Sequence, residues 1–207
     1  EDIASITAAL RAEQAQWVAM GASGRAACLN RFADAVMAEV SPLGQALSID
    51  TGRSTFAHFE AIKSVELIRM WAERAGPILD ELEGAGQSGQ VPAVHYQHRL
   101  IPYQVVAVIS PWNVPLLLAM IDSLAALSAG CSVLLKPSEV TPRFIEPLQR
   151  ALDAVPELAA VLHIVTGGPE TGKAMIEQVD AVCFTGSVKT GRQVSQQAAA
   201  CFIPAFL

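Results

Sequence analysis

The sequence has little that would bring it to a membrane or a nucleic acid. Its formal net charge is −6 at pH 7, and it contains no long basic run, which argues against nucleic acid or an anionic lipid surface as a partner. The longest apolar runs are interrupted by Pro, Asp or Gly well short of a bilayer-spanning length, and no basic-then-apolar leader opens the chain. We therefore expect a cytoplasmic protein with no nucleic-acid or membrane partner.

Cysteine is also scarce, and the spacing of the cysteines matches no metal-binding motif. The four are Cys28, Cys131, Cys183 and Cys201. Three lie within apolar helix or strand patterns, and we predict buried, reduced, inert thiols for these and for Cys201. His95 and His98 could be metal ligands, but no carboxylate or cysteine is near them in sequence. A strand facing solvent or another subunit is the better interpretation, and no metal is predicted.

The first 90 residues are predicted to be mostly helical, and the chain is long enough for one large domain or a domain with an appendage. Ser23 is a candidate N-cap, Gly52 a candidate helix terminator, and Ser54 the start of a further helix. Five apolar residues on that last helix predict a stripe that faces the core. They are Phe56, Phe59, Ile62, Val65 and Ile68. Residues 84–89 are the best linker candidate, and a short strand-like run follows at 91–101.

From residue 103 the pattern alternates between strands and helices. The apolar, largely β-branched run at 105–109 suits a strand buried on both faces of a parallel sheet, and Pro115 suits the first turn of a helix. Further strands are predicted at 131–135, 161–165, 181–184 and the apolar end of the chain. The fold class is therefore α/β, with a doubly wound parallel sheet after an N-terminal helical segment. Because the chain lacks an initial methionine and ends on an apolar strand, we expect a piece of a longer protein.

Each predicted strand ends in polar or glycine-rich residues, and α/β sheets bind ligands at the carboxyl ends of their strands. Gly186 and Ser187, before a helix, can offer backbone N–H groups and a hydroxyl to a phosphate, although Ser187 alone could equally be an ordinary helix cap. Glu139 lies where dinucleotide-binding folds place an acid that accepts from ribose hydroxyls, and Lys136 can donate to the same ribose. Together these groups predict a nucleotide site.

Three familiar motifs are missing. G-x-G-x-x-G does not follow the first strand and no Tyr-x-x-x-Lys pair occurs, so an ordinary Rossmann dehydrogenase is not supported. Residues 167–174 approach a P-loop sequence, but Ala174 stands where a Ser or Thr must bind Mg²⁺. No metal-binding aspartate ends the next strand, so an NTPase is rejected.

Three motifs in order do resemble a known family. Ser-Pro-Trp-Asn at 110–113, Lys-Pro-Ser-Glu at 136–139 and Phe-Thr-Gly-Ser-x-x-x-Gly at 184–191 resemble the cofactor-binding half of the NAD(P)-dependent aldehyde dehydrogenase superfamily, and the resemblance extends upstream through residues 50–53. It implies helices at 1–90, an oligomerisation-type strand segment at 91–102, and a Rossmann-like nucleotide-binding sheet at 103–207, with the catalytic domain absent. The whole enzyme would oxidise an aldehyde to a carboxylic acid with NAD, or with NADP as the alternative, and would be a homo-oligomer, either a dimer or a tetramer.

The resemblance also implies roles for individual residues. The amide of Asn113 would donate to the oxyanion that forms when a thiolate adds to the aldehyde. Lys136 and Glu139 would hold the adenosine ribose, with Ser138 beside them. The other implied cofactor-binding residues are Ile109, Ser110, Pro111 and Trp112 towards the pyrophosphate and nicotinamide ribose, Gly168 and Pro169 towards the adenine, and Phe184, Gly186, Ser187 and Gly191 in the motif that approaches the pyrophosphate.

The sequence departs from the family pattern at three points. Thr190 replaces a bulky aliphatic residue, and the loop at 167–168 is one residue shorter than is common, so the expected adenine contacts differ from the usual family pattern. The family's glutamate base and cysteine nucleophile have no counterpart in this sequence, so the chain alone is predicted to be inactive. The alternative function is a free-standing nucleotide-binding or structural module without catalysis.

Overall fold

The computed structural model describes residues 2–207, and over residues 2–82 it begins with four helices. They are α1 (Ile3–Ala19), α2 (Gly21–Ala38), α3 (Val40–Thr51) and α4 (Ser54–Leu82). Gly52 ends α3 with a φ of 71°, as predicted. The prediction that Ser23 is an N-cap is wrong. The break between α1 and α2 lies at Gly21, which has a φ of 67°, and Ser23 is therefore inside α2.

A hairpin follows the helices, so the predicted linker is wrong. Strand β1 (Gly84–Gln87) pairs antiparallel with β2 (His95–His98), and every residue of β2 is exposed. The glycines of β1 make room for side chains of the partner strand. A Cβ at Gly86 would lie 2.5 Å from the hydroxyl oxygen of Tyr96, and one at Gly84 would lie 2.9 Å from Cε1 of His98. The glycines that suggested a flexible linker are therefore positions of close cross-strand contact.

The remaining strands form one parallel sheet in the order β5-β4-β3-β6-β7. The strands are β3 (Val105–Ile109), β4 (Ser132–Lys136), β5 (Leu162–Ile164), β6 (Ala181–Phe184) and β7 (Ala205–Phe206), and the helices are α5 (Pro115–Ala129), α6 (Ile145–Asp153), α7 (Pro156–Ala159), α8 (Pro169–Ile176) and α9 (Val188–Ala200). The chain runs outward from β3 to β5, then crosses to β6 on the other side. The predicted doubly wound, Rossmann-like sheet is confirmed, and its switch point lies between β3 and β6.

Both faces of the sheet are buried, which explains the continuous apolar runs of its strands. Val106 and Val108 of β3 belong to a core shared with α2 to α7, whereas Val105 and Ala107 belong to a second core shared with α8 and α9.

The apolar stripe predicted on α4 is wrong at three of its five positions. Val65 and Ile68 are buried, but Phe56, Phe59 and Ile62 are 37%, 49% and 42% exposed. The buried face is instead carried largely by small side chains, which allow α4 to pack closely against α2, α3 and α5. These are Ala57, Ala61, Ser64, Ala72 and Ala75.

Three of the four cysteines are buried or half-buried, as predicted, but Cys201 is exposed. Burial raises the pKa of Cys131 to about 11 and that of Cys183 to about 12. Cys201 follows the last turn of α9, where the backbone turns at Phe202 with a φ of 58° to reach the edge strand β7. The prediction that Cys201 is buried is therefore wrong, because this turn lies on the surface.

Arg11 of α1 is bound to the segment that precedes β6. Its guanidinium donates to both carboxylate oxygens of Asp180 at 2.7 and 2.8 Å, and the Val105 N–H donates to the same carboxylate at 2.8 Å. Both side chains are about one-third exposed, at 31% and 32%. Burial works to raise the pKa of Asp180, but the hydrogen bonds and the charge of Arg11 outweigh it and hold that pKa below its ordinary value. The carboxylate thus joins α1 to the amino end of the sheet.

We expect Asp180→Asn to lower the free energy of unfolding by about 1.5 kcal/mol at neutral pH, since hydrogen bonds to a charged group are lost. Because the pKa of Asp180 is lower in the folded than in the unfolded protein, this stabilisation is present above the unfolded value of about 3.9. It disappears as the pH falls through the folded value. Urea unfolding of both proteins across this pH range measures the difference. Asp34→Asn, in an exposed pair with Arg69, is the control, and a pH-independent difference for Asp180→Asn would contradict the expectation.

Candidate functional site

A cleft of about 1000 Å³ lies at the carboxyl edge of the sheet, where β3, β4 and β6 end and α8 and α9 begin. This is the switch point at which open α/β sheets bind their ligands, and the volume is at the upper end of the range of about 300–1,000 Å³ for ligand pockets. The cleft brings together every predicted site residue except Gly168 and Gly191. Those that line it are Ile109, Ser110, Pro111, Trp112, Asn113, Lys136, Ser138, Glu139, Pro169, Phe184, Gly186 and Ser187.

The turn after β3 is held by two hydrogen bonds to its backbone, and its side chains line the cleft. The Ser110 N–H donates to the Lys136 carbonyl at 3.1 Å, and the Thr141 hydroxyl donates to the Trp112 carbonyl at 3.3 Å. Ser110 is buried, and within the described residues its hydroxyl has no hydrogen-bond partner. Asn113 is exposed on the cleft wall. The turn therefore presents one unsatisfied hydroxyl and one amide to the cleft.

A cation and a carboxylate lie side by side at the end of β4. The Nζ atom of Lys136 lies 3.3 Å from Oε2 of Glu139, and the lysine side chain is only 5% exposed whereas the glutamate is 54% exposed. The backbone N–H of Glu139 lowers the pKa of its own carboxyl, and the charge of Lys136 adds to the effect. At neutral pH the pair offers a donor and an acceptor in adjacent positions, which suits vicinal hydroxyl groups.

The N-terminus of α9 faces the cleft from β6. Ser187 is the N-cap, and its hydroxyl accepts from the Thr190 N–H at 3.2 Å. The helix-cap interpretation of Ser187 is thus confirmed. The N–H groups of Val188 and Lys189 belong to the first turn, for which a helix has no internal acceptors, so this end of α9 can receive an anion.

Phe184 packs against two glycines at this end of the sheet. A Cβ at Gly186 would lie 2.5 Å from Cζ of the Phe184 ring, and one at Gly191 would lie 3.4 Å from Cε1. Gly191 therefore supports the ring from α9 and lines a smaller neighbouring cavity instead of the main cleft. Gly168 is the N-cap of α8 and is likewise absent from the cleft wall, although the adjacent Pro169 is part of it.

The whole chain, residues 1–207, matches the model of the aldehyde dehydrogenase family. The chain belongs to this family. A curated relative, the 2-hydroxymuconic semialdehyde dehydrogenase of Pseudomonas sp. strain CF600, is 32% identical over 202 residues, covering 95% of this chain and 41% of the relative.

Solved structures of this family superpose closely on the chain. PutA from Anabaena variabilis, described as a candidate aldehyde dehydrogenase, matches with a TM-score of 0.92 and 43% identity over 98% of this chain and 43% of that one. The betaine aldehyde dehydrogenase of Staphylococcus aureus, solved in complex with NAD+, matches with a TM-score of 0.88 and 25% identity over 99% of this chain and 41% of that one. The chain thus spans about two fifths of the length of these relatives.

Sequence reasoning missed the helix residues that complete the cleft of this aldehyde dehydrogenase family member. They are Leu118 on α5, Gly172, Lys173 and Ile176 on α8, and Gln193, Val194, Gln196 and Gln197 on α9. The loop residues Val140 and Thr185 also line it, as does Thr190, which was noted in the sequence only as a departure from the family pattern. The Gln197 amide N–H donates to the Lys173 carbonyl at 2.9 Å and links α8 to α9. The helical spacing of residues 190, 193, 194 and 197 is the signal that could have identified this wall.

Sequence reasoning also missed Glu60, which lies beneath the site. This residue of α4 is 1% exposed, and its Oε1 accepts from the Leu116 N–H at 2.8 Å and the Leu117 N–H at 3.1 Å, in the first turn of α5. Among the described residues no partner is found for Oε2. Burial raises the pKa of the Glu60 carboxyl, against the opposing effect of the two N–H groups and of Arg53. A glutamate within a helix is usually solvated, so no signal in the sequence distinguishes Glu60 from the other glutamates.

The described residues contain neither a metal-ligand cluster nor a membrane-spanning helix. Among residues 2–207, no three His, Cys, Asp or Glu side chains come together as metal ligands could. Over the same residues, no helix has both the length and the apolar character needed to cross a bilayer. His95 and His98 lie on the exposed strand β2.

Proposed function

We propose that this chain is the cofactor-binding portion of an aldehyde dehydrogenase that oxidises an aldehyde to a carboxylic acid with NAD+. The observation that carries the proposal is the cleft in which the Lys136–Glu139 pair, the open end of α9 and the Asn113 amide lie together. Membership of the family supports it, as does the NAD+ complex of the Staphylococcus aureus relative.

The residues of the cleft fit a dinucleotide. The unsatisfied, buried Ser110 hydroxyl can bind a polar group of a ligand, and the first turn of α9 is exposed. The nicotinamide ring, when bound, would supply the hydride acceptor. We assign Lys136 and Glu139 to the ribose hydroxyls and the first turn of α9 to the pyrophosphate. The Asn113 amide would donate to the developing oxyanion of the substrate.

The proposal also divides the chain by role. The helices of residues 1–90 would support the sheet, the segment at 91–102 would pair subunits in a homo-oligomer, and residues 103–207 would hold the cofactor. The nucleophile and the base would come from outside this chain. Burial raises the thiol pKa of Cys28, Cys131 and Cys183, which disfavours the reactive thiolate. Cys201 is exposed but does not line the cleft, so we expect residues 1–207 alone to oxidise no aldehyde.

The function is tested on the complete protein that the gene encodes. NAD+ and NADP+ are titrated against it, and NADH formation and acid production are followed with a panel of aliphatic and aromatic aldehydes. We expect NAD+ to bind and to be reduced only when an aldehyde is present. One molecule of NADH should form for each molecule of acid. Binding without turnover would favour the non-catalytic module, and the absence of both would overturn the proposal.

Glu139 provides a test of cofactor preference. If its carboxylate accepts from the ribose hydroxyls, a 2′-phosphate would lie close to it, and two charges about 4 Å apart repel by roughly 4 kcal/mol at an effective dielectric constant of about 20. Glu139 is half-exposed and adjacent to Lys136, so solvent and the lysine charge should cancel most of this repulsion energy. We expect the remainder to give a preference for NAD of about tenfold, or roughly 1.4 kcal/mol. Glu139→Gln should narrow the preference in equilibrium titrations.

The control for this titration is Glu73→Gln, which removes an exposed carboxylate of α4. It should leave the ratio of the two affinities unchanged, because Glu73 does not line the cleft. Equal affinities for NAD and NADP in the unmutated protein would mean that Glu139 does not contact the ribose.

A further inference from the structure

The N-terminus of α5 is capped by a carboxyl group from another helix. In dinucleotide-binding α/β folds, the helix that follows the first strand of the sheet directs its N-terminus at the pyrophosphate. Here α5 has no capping side chain at Val114 and no acidic residue in its first turn. The carboxylate of Glu60 accepts from the N–H groups of Leu116 and Leu117 instead, from 56 and 57 residues away in sequence.

We propose that Glu60 is a positioning residue: its carboxyl oxygen is the acceptor for the N-terminus of α5, supplied from within the protein, and it thereby fixes the turn that carries Asn113. The proposal rests on the proposed function, since it concerns the same cleft. It also explains why the first strand needs no glycine-rich fingerprint. The end of α5 is occupied, and the pyrophosphate is left to the exposed N-terminus of α9 at Ser187.

An ordinary cap does not account for this arrangement. A serine or threonine at position 114 would satisfy the same N–H groups with a neutral side chain. A buried carboxylate is a costly replacement, because the charge must be removed from water, and Oε2 of Glu60 has no partner in residues 2–207. What the carboxylate adds is a connection between α4 and α5, at the residue where the Asn113 turn becomes helix.

Two variants of the complete protein separate the charge from the contact. Glu60→Gln keeps an acceptor oxygen, and Glu60→Leu removes it. We expect Glu60→Leu to lower kcat about tenfold, on the scale of a slightly misplaced catalytic group. The dissociation constant of NAD+ should change much less, because the Ser110–Lys136 hydrogen bond holds the start of the turn independently of Glu60. Glu60→Gln should recover most of the lost kcat.

Trp17→Phe is the matched control, because the indole N–H donates to the Leu127 carbonyl at 2.8 Å at the opposite end of the same helix. It should lower the melting temperature without changing the kcat of the folded protein. An equal fall of kcat in Trp17→Phe and Glu60→Leu would overturn the proposal, as would a tenfold change of NAD+ affinity in Glu60→Leu.

Amide hydrogen exchange tests the contact independently of activity. In Glu60→Leu the amides of Leu116 and Leu117 should exchange about tenfold faster, because they lose their acceptor, whereas amides at the C-terminal end of α5 should not change. Unchanged exchange at Leu116 and Leu117 would overturn the inference. If the unmutated protein neither binds NAD+ nor oxidises aldehydes, the proposed function fails, and exchange still decides whether Glu60 holds this turn.

Discussion

The Asn113→Ala variant of the complete protein is expected to oxidise aldehydes about 10²-fold more slowly than the unmutated enzyme, the usual effect of losing one oxyanion donor. The side chain of Asn113 lies on the cleft wall at the end of the turn that follows β3. Its amide N–H can stabilise negative charge that develops on the substrate oxygen. Because Asn113 is not among the residues that we assign to the cofactor, NAD+ binding should change little.

The measurement is the single-turnover rate, with an aldehyde deuterated at the carbonyl carbon to show that the chemical step limits the rate. Asn30→Ala is the matched control, since Asn30 is the only other asparagine in the chain and is exposed on α2. Asn113→Asp, which keeps the shape but loses the N–H donor, should be at least as slow. A rate equal to that of the unmutated enzyme, with chemistry limiting, would remove Asn113 from the mechanism.

The Gly186→Ala variant is expected to bind NAD+ about 30-fold more weakly, because forcing a methyl group into an occupied space costs roughly 2 kcal/mol. The added Cβ would lie 2.5 Å from Cζ of Phe184. The ring is buried and also packs against Gly191, so it cannot retreat towards α9. The overlap would displace either the ring or the N-terminus of α9, and both border the cleft.

Calorimetric titration with NAD+ measures this effect, and Gly89→Ala is the control, because a Cβ at Gly89 would meet no atom within 4 Å. A double variant with Phe184→Leu tests the cause. If the overlap with the ring is responsible, the smaller side chain should restore part of the affinity, and the two substitutions should not be additive. An affinity within twofold of the unmutated protein for Gly186→Ala alone would contradict the expectation.

The sheet could be predicted from the sequence because its strands are buried on both faces and appear as continuous apolar runs. The hairpin could not, since Gly84 and Gly86 carry no side chain that signals a strand, and their role depends on His98 and Tyr96 across the pair. The prediction of an apolar stripe on α4 was wrong at three positions for a related reason. Large apolar residues suggested the core, whereas the close packing of α4 depends on small ones.

The strand-end residues of the cleft were predictable because parallel strands place their carboxyl ends at one edge. The role of Gly191 as a support for Phe184 was not, because it depends on how α9 packs against β6. The role of Glu60 was equally unpredictable, since its partners in α5 lie more than 50 residues away in sequence. What the sequence could not supply in each case is a contact between elements.

The attachment of α1 has a consequence for synthesis of the chain on the ribosome. Trp17 is 110 residues from its acceptor on α5, and Arg11 is 169 residues from Asp180. At a translation rate of about 10 residues per second, Arg11 waits roughly 17 s for its partner. Until α5 and the sheet have been synthesised, Leu10 and Trp17 lack much of the core that they enter, and a nascent chain with exposed apolar side chains is a substrate for chaperones and prone to aggregate. The first helix to be synthesised is therefore among the last to form its tertiary contacts.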